Sequence, residues 1–216
     1  MRVTLFSIGM ILSSFHPSFA FEVEDRRLYT APMPTQTIRV ISTADIAAFD
    51  PLIRTFQSIN QGITVDYTVA SSTEVMAAIY DEGVPFDLVI SSAMDLQTKL
   101  ANDGLALPHR STETDLLPEW GKWRDHVFAF TQEPAAIVLS AKAFANLPVP
   151  QTRQDLISVL RDYPDLFRGR VGTYDVRSSG LGYLFATQDA RTSETFWRLA
   201  EVMGHLDIQL YCCSGA

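Results

Sequence analysis

Residues 169–185 read GRVGTYDVRSSGLGYLF, and this stretch sets the fold class. A short apolar strand over residues 171–174 runs into Ser178-Ser179-Gly180 and then into the start of a helix. A strand that feeds a helix through a small polar turn is the repeating unit of α/β architecture. The turn presents hydroxyls and backbone N–H groups, and helix N-termini favour anions. Arg177, Ser178 and Ser179 are therefore candidate ligand-binding residues.

The same unit repeats earlier in the chain. Ile38, Val40 and Ile41 read as a strand, followed by Ser42-Thr43-Ala44-Asp45 as a loop. Asp50-Pro51 predicts a helix start, with aspartate as cap and proline at the first helical position. Leu52, Ile53, Phe56 and Ile59 fall on one helical face, and Gly62 ends the helix. Ile63, Val65, Tyr67 and Val69 alternate as a second strand. Ser71-Ser72-Thr73-Glu74 carries the S-x-x-E capping pattern ahead of Val75 and Ile79. Gly83 and Pro85 break that helix, and Leu88-Val89-Ile90 reads as a buried strand. Ser91-Ser92 then caps a helix with Leu96 and Leu100 inward and Gly104 at its end.

This β-α-β-α-β-α alternation predicts a doubly wound, mainly parallel sheet with right-handed crossovers. In such sheets ligands bind beyond the carboxyl ends of the strands. Three of those ends carry hydroxyl pairs, Ser42/Thr43, Ser71/Ser72 and Ser91/Ser92. Each serine also reads as a simple helix cap. It is their repetition at three strand ends that points to a binding wall.

The ends and the composition narrow the class. Arg2, an apolar run over residues 3–15 and Ser18-Phe19-Ala20 make residues 1–20 a signal peptide by pattern, and hence predict an exported, periplasmic protein. The apolar run is short for a membrane span, which needs about 20 residues, and His16-Pro17 interrupts it. Residues 21–36, with acids, Arg26-Arg27 and two prolines, read as a flexible leader. A net charge of −8 over 216 residues argues against nucleic acid as a partner. Cys212 and Cys213 are the only cysteines, so no disulfide framework holds the fold. The adjacent pair reads as small buried hydrophobes on opposite faces of a strand rather than as a strained ring.

The second half is sparser. Residues 108–126 are irregular, and residues 127–140 read as extended chain broken by Gln132-Glu133-Pro134, a crossing into a second lobe. A helix over residues 152–161 places Leu156, Val159 and Leu160 on one face. A further helix from Ser193 has Phe196, Leu199 and Met203 inward, and Ile208, Leu210 and Tyr211 make a last strand ahead of Ser214. The resulting division is residues 37–131 as lobe 1 with the start of a hinge, and residues 132–216 as hinge and partial lobe 2.

On the segments TIRVISTAD, FDLVISSAMD, GRVGTYDVRSSGLGYLF and CCSGA, the chain resembles the type 2 periplasmic solute-binding proteins of ABC transporters, nearest the iron(III)-binding branch. The resemblance implies two α/β lobes, each a mainly parallel sheet flanked by helices, closing on a solute between them. It places Ser42, Thr43, Ser71, Ser72, Ser91 and Ser92 on the first-lobe wall, and Arg177, Ser178, Ser179 and Ser214 on the second. Such proteins are usually much longer, so the second lobe reads as incomplete and the chain as truncated. The adjacent tyrosines of the iron-specific members have no counterpart here. No metal-ligand set and no cofactor are therefore expected, and the implied solute is a small anion or an anion-chelated metal, suited to Arg177 and helix N-termini. Arg177 equally reads as the partner of Asp175. The implied partners are a membrane permease or, alternatively, a sensor histidine kinase, with the protein itself a monomer.

Other classes lack their motifs. A serine hydrolase needs G-x-S-x-G, which is absent, and His16, His109, His126 and His205 stand in no catalytic pattern. No enzyme is expected. A transcription-factor effector domain would carry a helix-turn-helix where the signal pattern stands. A non-functional remnant with an exposed strand edge is the remaining alternative, and it predicts poor folding or weak binding.

Overall fold

A computed structural model describes residues 21–132 and 134–212. The signal-peptide pattern, Glu133, Cys213 and Ser214 lie outside the described residues.

The first half is built on a four-stranded sheet in the order β1-β3-β2-β4, made of β1 Asp25–Tyr29, β2 Gln36–Ser42, β3 Ile63–Val69 and β4 Leu88–Ile90. β2 pairs in parallel with both β3 and β4. The crossover from β2 to β3 runs one way and the crossover from β3 back past β2 to β4 runs the other, which opens a crevice at the carboxyl ends of β2 and β4. There Thr43 N–H donates to Ile90 O (3.0 Å) and Ala70 N–H donates to Ser42 O (3.0 Å), so the strand-end turns are stitched side by side.

β1 corrects the expectation of a flexible leader over residues 21–36. It runs antiparallel to β3, with Asp25 opposite Val69 and Tyr29 opposite Val65. An edge strand exposes most of its side chains, so it shows no periodicity. What holds it is distant in sequence. Arg26 forms a two-pronged ion pair with Asp66 (2.6 and 2.8 Å), Arg27 and Tyr29 both reach Asp50, and Gln57 donates to Tyr29 O (2.7 Å). Tyr29 and Ala31 are buried.

Helix α1 spans Ile46–Ile59, five residues longer at its start than the Asp50-Pro51 signal predicts. Pro51 lies inside it and removes one backbone bond. Ile46 and Ile53 are buried, and Phe49 stacks on Tyr67 at 5.5 Å, which offsets that loss. The inward face is thus Ile46, Phe49, Ile53 and Phe56, while Leu52 and Ile59 are exposed. After β3 come helix α2, Ser72–Met76, and a wider π-type turn over Ala77–Asp81. Helix α3 is Met94–Asn102.

A short helix α4, Thr112–Asp115, a 3₁₀ turn over Glu119–Gly121 and a small hairpin of β5, Lys122–Trp123, and β6, Val127–Phe128, follow. Beyond β6 the described chain carries no regular helix or strand until α5, Arg153–Asp162, and passes through a run of turns over residues 141–146. α5 opens on a reciprocal cap in which Thr152 accepts from Asp155 N–H and Asp155 accepts from Thr152 N–H. α6 is Pro164–Phe167, α7 Gly180–Thr192 and α8 Phe196–His205. β7, Gly172–Tyr174, and β8, Gln209–Tyr211, form a second, parallel sheet.

The core is likewise divided. Tyr29, Val40, Ile53, Val65, Tyr67 and Val69 fill one face of the first sheet, and Ile41, Ala70, Val75 and Ala78 the other. Phe144, Leu156, Ile157, Leu160, Val202 and Leu206 form a separate cluster in the second half. Cys212, read as a buried hydrophobe, is exposed just after β8, because the short β8 is exposed along its whole length.

Candidate functional site

The start of α7 meets the turns after β3 and β4, and the turn after β2 is bonded to both of those strand ends. Ser72 Oγ accepts from Gly180 N–H (2.7 Å), and Thr73 Oγ1 donates to Ser178 O (3.1 Å). Gly180 also lies against the turn after β4, since a Cβ added to it would stand 3.2 Å from Ala93 Cβ. Residues more than a hundred positions apart are joined here by direct bonds.

Each predicted residue has a definite place. Ser42 is fully buried, and its hydroxyl accepts from Ala44 N–H (3.0 Å) inside its own turn. Tyr67 holds the same turn from below, donating its hydroxyl to Ala44 O (2.8 Å). Burial pushes the Tyr67 hydroxyl up to about 12. Thr43 is half-buried beside the end of β4. Ser71 caps α2 by accepting from Glu74 N–H (3.2 Å). Only this half of the predicted capping box forms, because the Glu74 carboxylate accepts instead from Glu22 N–H (2.8 Å).

Ser91 accepts from Ala93 N–H (3.2 Å), and Ser92 is exposed. Neither caps α3, whose cap position is Ala93, so the expectation of a serine cap there is corrected. The turn after Ile90 spends its hydroxyl bond within itself, and the helix starts one residue beyond it. Ser179 is buried and caps α7, accepting from Gly182 N–H (3.1 Å). Ser178 is half-buried beside Thr73.

Arg177 is engaged locally. Its guanidinium grips Asp175 at 2.6 and 2.8 Å, and its backbone N–H donates to the same carboxylate (2.9 Å). Those bonds hold the Asp175 carboxyl down at about 2. Asp175 O accepts from Ser178 N–H and Ser179 N–H, so this aspartate shapes the whole turn into α7. Asp175 was not among the sequence candidates, although its place two residues before Arg177 was the available signal.

One feature of the electrostatics had no sequence signal. An open cavity of about 740 Å³ lies at the start of α1, lined by Glu24, Asp25, Asp45 and Asp50 together with Arg27. Burial, with Asp45 and Glu22 nearby, raises the Glu24 carboxyl. Among the described residues, no group of three or more His, Cys, Asp and Glu could hold a metal ion. Nor is any described helix long and apolar enough to cross a membrane.

The family described as bacterial extracellular solute-binding protein matches residues 38–202, most of the chain. Among solved structures, the chain is similar to the substrate binding protein of an ABC transporter from Agrobacterium tumefaciens, at 31% identity and a TM-score of 0.84. That match covers 88% of this chain and 58% of the other, so the chain spans a little over half the length of the protein it resembles. The fold is thereby a periplasmic-binding-protein fold of α/β halves. No curated protein gives a significant match.

Proposed function

Because this chain belongs to the family of bacterial extracellular solute-binding proteins, we propose that it is the solute-binding component of an ABC uptake system. It captures a small anionic solute, or a metal chelated by an anion such as an iron(III) complex, between its two halves and delivers it to a membrane permease. It is exported through the signal pattern of residues 1–20, works in the periplasm as a monomer, and catalyses no reaction. The observation that carries this reading is the contact of the turns after β3 and β4 with the start of α7, beside the turn after β2. Carboxyl ends of parallel strands are where open α/β sheets bind ligands.

The anionic class rests on the donors gathered there. Thr43, Ser71, Ser91 and Ser92 carry hydroxyls in the turns after the first-sheet strands and Ser178 carries one in the turn into α7, whose N-terminus adds its dipole. Arg177 remains a second-wall candidate only if the solute draws it from Asp175, since one guanidinium now serves that carboxylate. Ser42, Ser72 and Ser179 support the wall through the internal bonds described above.

A thermal-shift screen of residues 21–216 tests this directly. The probes are iron(III) citrate, alkylphosphonates, small carboxylates and, as a cationic control, polyamines. A ligand that binds only the native state raises the melting temperature by mass action. A shift with one anionic class supports the reading. A shift with polyamines alone overturns the anionic class, and a cooperative melt with no shift from any probe overturns all the classes named.

A further inference from the structure

We propose that Ser72 and Thr73, with Ser178 and Gly180, form a latch that holds the two halves closed through the protein's own groups. The proposal concerns the cleft described above and rests on the solute-binding reading only for the purpose of closure. Four observations carry it. Ser72 and Gly180 are buried, and Ser72 Oγ accepts from Gly180 N–H at 2.7 Å. Thr73 Oγ1 donates to Ser178 O at 3.1 Å, so the pairing is two-pronged and fixes orientation as well as distance. A Cβ on Gly180 would stand 2.8 Å from both Ser72 Oγ and Leu96 Cδ1 and 3.2 Å from Ala93 Cβ, so any side chain there displaces the Ser72 hydroxyl or Leu96. Of the neighbouring donors at the α7 turn, Ser179 N–H is taken by Asp175 O and Gly182 N–H by Ser179 Oγ, both within the second half.

The first N–H groups of a helix have no partner within it. At α7, Gly180 N–H is a donor without a partner in its own half, and the Ser72 hydroxyl of the other half takes it. Opening the cleft breaks both bonds and exposes Gly180, Ala93 and Leu96 together. The closed arrangement is therefore one state of a two-state element that bonds between the halves bias. An anion that seeks the N-terminus of α7 competes with Ser72 for the same donor, so the latch also tunes solute affinity through the population of the closed form.

The test is made on protein refolded from guanidinium, so that any bound solute is removed. Small-angle scattering gives the overall shape, and hydrogen exchange by NMR gives the protection of the Gly180 amide. Wild type is expected to scatter as the closed structure. Ser72→Ala combined with Thr73→Val is expected to enlarge the radius of gyration and to speed exchange at Gly180 by about tenfold or more. Amides of β3 keep their protection, which separates opening from unfolding. Gly180→Val reaches the same end by steric means. Its β3 amides give the same control. An open wild type overturns the proposal, as does a latch variant with intact β3 protection and unchanged scattering and Gly180 exchange. The thermal-shift screen run on the same variant keeps the two readings apart. A solute shift with unchanged scattering means that the latch fails while solute binding stands. Scattering that opens without any solute shift means the reverse.

Discussion

Tyr67 is 1% exposed at the centre of the first sheet, and its one polar atom reaches Ala44 O across the turn that ends β2. Tyr67→Phe keeps the ring's packing against Phe49 but leaves that carbonyl without its donor. We expect a loss of about 1–2 kcal/mol in urea unfolding, from the missing bond. The hydroxyl titrates near 12 in the folded chain and near about 10 when unfolded. Its contribution is thus whole below about pH 10 and is lost as the pH rises towards 12. A wild type whose alkaline unfolding follows that of Tyr67→Phe would contradict the assignment.

Asp175 makes the opposite case. Arg177 and its own turn hold the carboxyl down at about 2, so its share of stability is present above the unfolded value of about 4 and is lost as pH falls towards 2. Carbon-detected NMR titration should find this aspartate near 2, moving up to the ordinary range in Arg177→Ala. An Asp175 that titrates normally in wild type would contradict the pairing. The sequence offered two partners for Arg177, a solute or Asp175, and spacing alone could not choose between them. The choice depends on the path of the backbone through Val176, which local pattern does not encode.

At the scale of elements, two glycines in helices make a matched pair. Gly204 sits in α8 with open space around it, so Gly204→Ala should stabilise the chain by about 0.5–1 kcal/mol through helix propensity alone. Gly182 sits in the first turn of α7, where a Cβ would collide with Tyr174 Cβ at the end of β7. Tyr174 Cβ is fixed to its backbone, so Gly182→Ala must push helix and strand apart, at about 1–3 kcal/mol. Opposite signs in thermal melts are the expected result; two stabilising substitutions would show that α7 does not pack so closely on β7.

The elements that the sequence disclosed share one property: their signals are local. The strands β2, β3 and β4 and helices α3, α5 and α7 are marked by apolar period, cap residues and glycine stops. β1 was missed because an exposed edge strand has no period, and its anchors Asp50 and Asp66 stand more than twenty residues away. The start of α1 was misplaced because Asp50-Pro51 mimics a helix start. Burial of Ile46 carries the helix through the proline, and burial is a tertiary fact. The hydroxyl pairs at the strand ends were legible for the same local reason. That Ser72 faces Gly180 across more than a hundred residues was not.

At the scale of the whole molecule, the two halves differ in how their backbone bonds are protected. β3 is paired on both sides, and every residue from Thr64 to Val69 is buried. β7 and β8 pair only with each other, and Leu210 and Tyr211 stay exposed on β8. A two-stranded sheet has little stability of its own. The second half therefore relies on its helical cluster around Ile157, Leu160, Val202 and Leu206. Hydrogen exchange should then show a hierarchy, with β3 amides opening only in global unfolding, α5 and α8 next, and β7 and β8 first. Adding urea below the midpoint should speed exchange in β7 and β8 before it reaches β3. Uniform protection across both sheets would mean that the halves unfold as one unit. In that event the bonds between α2 and α7 would bind the molecule more strongly than the pairing of β7 with β8, although two hydrogen bonds and one glycine contact join the halves there.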